Sequence, residues 1–343
     1  MIFLCVLCAE GSPQRHVDLA ITPADFEIVG VGLMQKTGHA LAVGDVNGDT
    51  ISDLIIGAPG LDANSQPKEG RVFVIFGSPA LPAMLDLNTV SADVEIEGRQ
   101  ANAGVGTAVA AADVNGDGFD DIIMGGPGTD GKAGEKAGAV FVVMGRVSFP
   151  TTMNVLNADV RIGGEAALNG FGEAIATGDL NNDGVSDLSF GVPFADPPSR
   201  PSGGKVGVIH GRPDWPPLIE LADVQPDLQV LGPRQNEFIG NAVAADDLNN
   251  DGRDDLIIGD FKANATGGVD AGKTFIIFGS DTLTATIDLA SQAPHVTISG
   301  EHQQDHFGFA VSTGDFNGDG SSDLMVSARR ANVGEASNAG KVY

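Results

Sequence analysis

The stretch "DLNNDGVSDL" (residues 179–188) sets Asp179, Asn181, Asp183 and Asp187 close together and then runs into the apolar "SFGVPF" (189–194). Carboxylates this near one another repel, so something must reward the crowding. Nearly the same stretch occurs four more times: "DVNGDTISDL" from Asp45, "DVNGDGFDDI" from Asp113, "DLNNDGRDDL" from Asp247 and "DFNGDGSSDL" from Asp315. All follow D-x-N-x-D-G-x-x-D-[LI], except that Thr50 takes the place of the glycine in the first. The copies start 68, 66, 68 and 68 residues apart. A fixed period of this length marks a repeat architecture and takes precedence over any other fold assignment.

Around each acidic stretch the same local signals return. A run of small residues precedes it, as in "GTAVAAAD" (106–113), and a β-rich run follows, as in "DLIIGAPG" (53–60). After a glycine-rich loop come "GRVFVIFG" (70–77), "GAVFVVMG" (138–145) and "GKTFIIFG" (272–279). Alternating segments close the period: "DVEIEG" (93–98), "DVRIGG" (159–164) and "HVTISG" (295–300). That makes four strands per period, here A to D, with Gly, Pro and Asn punctuation and no helical periodicity. Four antiparallel strands per unit predict an all-β fold, a β-propeller of four-stranded blades. Small A strands suit the crowded axis, apolar B and C strands suit burial between blades, and alternating D strands suit the outer rim. We expect one domain over 1–343, with repeats at roughly 31–98, 99–164, 165–232, 233–300 and 301–343, preceded by N-terminal strands in 1–30.

The acidic stretch falls in the A–B turn. Side chains at loop positions 1, 3 and 5 of a tight loop can face one centre, and glycine at position 6 permits positive φ. A carbonyl at position 7 can join them, and Asp at position 9 closes the ring. These donors are all hard oxygens, which suit Ca²⁺ better than Zn²⁺ or Cu²⁺. The candidate ligands are therefore Asp45, Asn47, Asp49 and Asp53; Asp113, Asn115, Asp117 and Asp121; Asp179, Asn181, Asp183 and Asp187; Asp247, Asn249, Asp251 and Asp255; and Asp315, Asn317, Asp319 and Asp323. Up to five Ca²⁺ are expected. The loop resembles the first half of an EF-hand but lacks the Glu at position 12 and the flanking helices. A metal-free Asn-Gly turn would account for one copy. It does not by itself call for Asp at position 9 in all five. Thr50 predicts a distorted or weaker first loop, because a β-branched residue resists positive φ.

The remaining composition narrows the function. The chain has 343 residues, 42% of them hydrophobic, enough for a sizeable core, and a net charge of −27, which argues against nucleic-acid or anionic-membrane partners. No apolar run is long enough to span a membrane, so direct membrane insertion is not expected. Cys5 and Cys8 form one C-x-x-C without a second pair, inside a run that reads as a strand rather than a zinc or redox motif. His302 and His306 lie four apart, but in a D–A loop and not on a helix. Trp215 reads as a packing residue over a blade edge. Asn264 opens the single glycosylation sequon, "NAT". The six histidines are scattered and no nucleophile elbow occurs, so we expect no enzyme activity.

These features together resemble the FG-GAP repeats of integrin α-subunit propellers and their bacterial relatives. "FG" is carried by Phe171-Gly172 and Phe307-Gly308, and "GAP" by Gly57-Ala58-Pro59, with Gly125-Gly126-Pro127 and Gly191-Val192-Pro193 close to it. "FG" changes to Gly38-His39, Val105-Gly106 and Ile239-Gly240. "GAP" changes to Gly259-Asp260-Phe261 and Ser327-Ala328-Arg329. The resemblance implies an extracellular or cell-surface, calcium-stabilised propeller used in cell adhesion or ligand recognition, its ions structural rather than catalytic. It implies a protein or glycan ligand on the loops of the opposite face, and a second subunit or flanking domains as further partners. The same repeats occur as accessory propellers of secreted enzymes of phospholipase or polysaccharide lyase type, or as a spacer in a large surface protein. The family usually has seven blades. Five periods leave two arrangements: a ring closed by "MIFLCVLCAEG" (1–11) as a C strand and "ADFEIVG" (24–30) as a D strand, or part of a larger ring. Residues 1–9 read either as that strand or as a signal peptide.

Overall fold

Period-two apolar runs broken by glycine leave the chain no option but strands, and the computed structural model, which describes residues 26–32, 35–60, 69–280, 282–334 and 336–343, is built of them. The expected strand or signal peptide at 1–9, with Cys5 and Cys8, lies outside the described residues. Among those residues the only helical element is a single 3₁₀ turn, Val155–Asn157.

The A–B–C–D meander recurs. The first blade runs through Ala40–Gly44, Asp53–Ala58, Arg71–Ile75 and Val94–Glu97, and the second through Val109–Ala112, Asp121–Gly126, Ala139–Val143 and Val160–Gly163. The third uses Ile175–Gly178, Asp187–Val192, Lys205–Ile209 and Leu228–Leu231. The fourth uses Ala242–Asp246, Asp255–Asp260, Lys273–Ile277 and Val296–Ser299. The fifth shows Phe307–Gly314, Asp323–Ala328 and Lys341–Val342. Neighbouring strands within every blade are antiparallel. This is an all-β propeller architecture with its blades in chain order.

Each of the first three blades gains a fifth, outer strand that the periodicity did not show. Thr152–Asn154 pairs parallel with Val94–Glu97, Leu218–Glu220 with Val160–Gly163, and Thr286–Asp288 with Leu228–Leu231. Each outer strand belongs to the C–D connection of the following repeat, so the D strands of these three blades are covered by the next repeat and their open edges are paired, whereas Val296–Ser299 of the fourth blade ends its sheet. Glu27–Val29 pairs with Met84–Asp86 in the same parallel manner, which places the expected N-terminal D strand in the D position. The outer strands have three residues each, too short for a visible alternation.

The core lies between blades. Val72, Val74, Ile55 and Ile96 of the first blade pack with Val105, Ile122, Met124 and Phe141 of the second. Ile123, Val140 and Ile162 pack with Phe171, Phe190 and Leu188, and Val206, Val208 and Val230 with Ile239, Leu256 and Ile258. The B strands of blades two to four are buried throughout, whereas the D strands of blades one to three alternate buried and half-buried residues in their first three positions. The glycines of "FG" and "GAP" meet at these seams. A Cβ on Gly57, Gly125, Gly191 or Gly259 would lie 2.1, 2.1, 1.8 or 2.1 Å from the carbonyl of Gly106, Gly172, Gly240 or Gly308. Backbone packs on backbone there, and any side chain would push two blades apart.

Candidate metal centres

Each A–B turn wraps its own backbone around its first aspartate. The N–H of position 6 (Thr50, Gly118, Gly184, Gly252, Gly320) donates to Oδ2 of Asp45, Asp113, Asp179, Asp247 or Asp315 at 2.7–2.9 Å. The N–H of position 5 donates to Oδ1 of the same aspartate at 3.0–3.1 Å, and to Oδ1 of the Asn at position 3 at 2.8–2.9 Å. The N–H of position 7 donates to Oδ1 of Asp49, Asp117, Asp183, Asp251 or Asp319. These bonds hold each loop in one shape and explain why short oxygen-bearing side chains recur at positions 1, 3 and 5.

Two further requirements emerge. Position 4 also takes positive φ: 74° at Gly48 and Gly116, 57° at Asn182, 58° at Asn250 and 77° at Gly318. Glycine and asparagine are the residues that tolerate this region, a signal present in the sequence but not read from it. Thr50 holds φ at 71°, the region used by Gly118 (90°) and Gly184 (87°). The first loop therefore keeps the common shape, and the expected strain sits in the backbone of Thr50 without distorting the loop.

The aspartate at position 9 has a structural task that the sequence did not reveal. Its Oδ2 accepts the N–H of Val46, Val114, Leu180, Leu248 or Phe316 at 3.0–3.2 Å. In the first four repeats its Oδ1 accepts the N–H of Gly77, Gly145, Gly211 or Gly279, just past strand C, at 2.8–3.0 Å. Asp53, Asp121, Asp187 and Asp255 are fully buried. Each ties the start of the loop to the end of strand C, so turn architecture alone does call for Asp here. Burial raises the Asp53 pKa and pushes Asp121 up to about 7 and Asp255 to about 6. The accepted backbone N–H groups oppose that shift, and the neighbouring loop carboxylates add to it.

The chemistry of the donor set fits a hard cation: carboxylate and amide oxygens crowd each turn, and a carboxylate oxygen that accepts one N–H keeps a second lone pair. Among the described residues, no group of three or more carboxylate, histidine or cysteine side chains stands together at metal-binding range. In the third loop, His210 Nδ1 lies 3.2 Å from Asp187 Oδ1, and contact with that carboxylate raises the imidazole pKa.

The other singled-out residues find structural places. The Trp215 indole N–H donates to Val114 O at 2.8 Å and Arg212 stacks on the ring, so Trp215 covers the second loop. His302 is exposed, whereas His306 is buried with its ring 5.3 Å from that of Phe261. Asn264 is one of a second recurring set: the side-chain oxygens of Asp130, Asp196, Asn264 and Asn332 accept the N–H six residues on, in each described B–C loop. At the altered "GAP" of the fourth repeat, Asp260 is fully buried near Glu237. Burial first, and Glu237 second, raise the Asp260 pKa well above the usual range, with Lys273 opposing.

The repeat is shared with known proteins. The FG-GAP repeat family matches residues 37–75, 105–143, 171–209 and 307–343. These are the first, second, third and fifth repeats. The fourth, where both "FG" and "GAP" are altered, folds in the same way. Phosphatidylinositol-glycan-specific phospholipase D of Bos taurus is 33% identical over 172 residues, 50% of this chain and 19% of its own length. Integrin alpha pat-2 of Caenorhabditis briggsae is 31% identical over 236 residues, 66% of this chain and 18% of its own. Integrin alpha-5 of Xenopus laevis is 28% identical over 240 residues, 67% of this chain and 20% of its own. The chain spans about a fifth of the length of these relatives. Among solved structures, rhamnogalacturonan lyase YesW overlays 84% of this chain and 46% of its own at a TM-score of 0.40 and 15% identity. With its repeated A–B loops and glycine-on-glycine seams, the chain carries four FG-GAP repeats on a propeller architecture and is similar to integrin α subunits over about two thirds of its length.

Proposed function

We propose that this propeller is a non-catalytic recognition module that works outside the cell or on its surface and is stiffened by Ca²⁺ in its A–B loops. The observation that carries the reading is the fivefold recurrence of one oxygen-rich turn. Asp at positions 1, 5 and 9 and Asn at position 3 would hold the ion in each loop, from Asp45, Asn47, Asp49 and Asp53 through to Asp315, Asn317, Asp319 and Asp323. The ion would supply positive charge that offsets the repulsion among these carboxylates. A protein or glycan ligand would engage the B–C and D–A loops at the other end of the strands, in cell adhesion or a related contact. The location outside the cell is supported by the integrin relatives, and no helix among the described residues is long and apolar enough to cross a membrane.

A second reading, an accessory propeller attached to a secreted enzyme, is favoured by the 33% identity to the phospholipase D of Bos taurus. A glycan and matrix-protein array separates recognition from a mere spacer, which should bind nothing. The calcium reading is tested by thermal melting with and without chelator. A ligand bound only to the folded state adds about 2.7 kcal/mol per site at a hundredfold excess over Kd. Chelator should lower Tm by many degrees, and coincident curves would refute the claim.

A further inference from the structure

Consecutive A–B loops touch, and the contact changes along the chain. Asp120, at position 8 of the second loop, donates its N–H to the Asp45 carbonyl at 3.0 Å and accepts the Asp45 N–H on Oδ2 at 2.8 Å. Asp254 makes the same two bonds to Asp179, at 3.0 and 2.8 Å. The first donor residue of loops one and three is thus clamped through both its N–H and its carbonyl by the next repeat. At loop two, Ser186 supplies only the backbone bond, to Asp113 O at 3.0 Å. At loop four the contact moves one residue back, where Ser322 Oγ donates to Asp246 Oδ1 at 2.7 Å.

The residue before each loop matches its latch. A Cβ at Gly44 would lie 2.7 Å from Asp120 Oδ2, and one at Gly178 would lie 2.6 Å from Asp254 Oδ2. Loops two and four, which lack the carboxylate latch, carry Ala112 and Asp246 at this place. Glycine in one repeat and aspartate in the next therefore form one device.

We propose that Asp120 and Asp254 are positioning residues that couple the ion loops in two pairs, the first with the second and the third with the fourth. The inference rests on the reading of these loops as calcium sites. Asp120 sits beside Asp121, which closes loop two. Ordering loop two around an ion fixes Asp120, Asp120 holds the backbone of Asp45, and linkage makes the effect reciprocal. The joint from loop two to loop three lacks the side-chain bond and passes less of it.

The test is hydrogen exchange of the loop amides across a calcium titration of the full chain. Asp120→Ser installs the residue used at positions 186 and 322. Asp120→Asn removes the charge but keeps an acceptor oxygen. In the serine variant, exchange over residues 44–53 should speed up without calcium, and the calcium midpoint of that loop should rise by up to about tenfold, the scale of one hydrogen bond. Loop three, at 179–187, should not change, and the asparagine variant should recover most of the loss. Unaltered protection of 44–53 in the serine variant overturns the coupling alone, as does an asparagine variant equally impaired, which would mean that only charge matters. No calcium-dependent protection in any loop of the unmodified protein sinks the calcium reading and the coupling together.

Discussion

Replacing Asp121 by alanine separates the structural task of the position-9 aspartate from any task in holding an ion. Asp121 is fully buried and accepts two backbone N–H groups, from Val114 at 3.0 Å and from Gly145 at 2.8 Å. Alanine leaves both donors without a partner. A buried unsatisfied group costs about 1–3 kcal/mol, so the pair should cost about 2–6 kcal/mol, a large share of the roughly 5–15 kcal/mol that holds a domain together. With a urea slope of about 3 kcal/mol/M, the denaturation midpoint should fall by about 0.7–2 M. The measurement belongs in calcium-free buffer, where an ion can contribute nothing. Trp215 is the only tryptophan and bonds the Val114 carbonyl, so its emission reports on this very loop. The spectrum should shift to the red on mutation, before any global unfolding. Asp323→Ala is the comparison: Asp323 is half-buried and accepts one backbone N–H, from Phe316 at 3.0 Å, so its loss should cost less than half as much. A midpoint within about 0.2 M of the parent with unchanged emission would refute the two-bond latch.

Two further substitutions probe strain and buried charge. Thr50→Gly removes a β-branched residue from positive φ. It should stabilise the protein by about 0.5–1 kcal/mol, since relief of about 1–2 kcal/mol is partly offset by the added freedom of glycine in the unfolded chain, and a lower urea midpoint would count against it. Asp260→Ala installs the residue found at Ala58 and Ala328. The raised pKa of Asp260 means that the folded state keeps a proton the unfolded chain has already released. Its favourable contribution is therefore complete below about pH 4 and fades as pH rises toward the folded value. Melts at pH 5 and pH 8 should show the alanine variant gaining more at pH 8, and an equal gain at both would contradict this.

The repeat was legible because an acidic turn, a B strand and a glycine-rich loop each write a local pattern, and a 66–68-residue interval multiplies it. Strand identity, blade order and the crowding of acids at five turns depend only on neighbours in sequence, so the sequence by itself determined them. Position 4 was also written there, as Gly or Asn, and was passed over. Four matters were decided only by tertiary structure: the outer strands lent by each following repeat, the FG and GAP glycines meeting across the seam, the position-9 aspartates reaching strand C, and the Asp120 and Asp254 clamps on the preceding loop. The two partners sit 24 to 75 residues apart and meet only once strands B and C pair within a blade, for the position-9 aspartates, or once consecutive blades stack, for the other three. No local rule can link them: burial and hydrogen-bond satisfaction are properties of the packed interface, not of either segment alone.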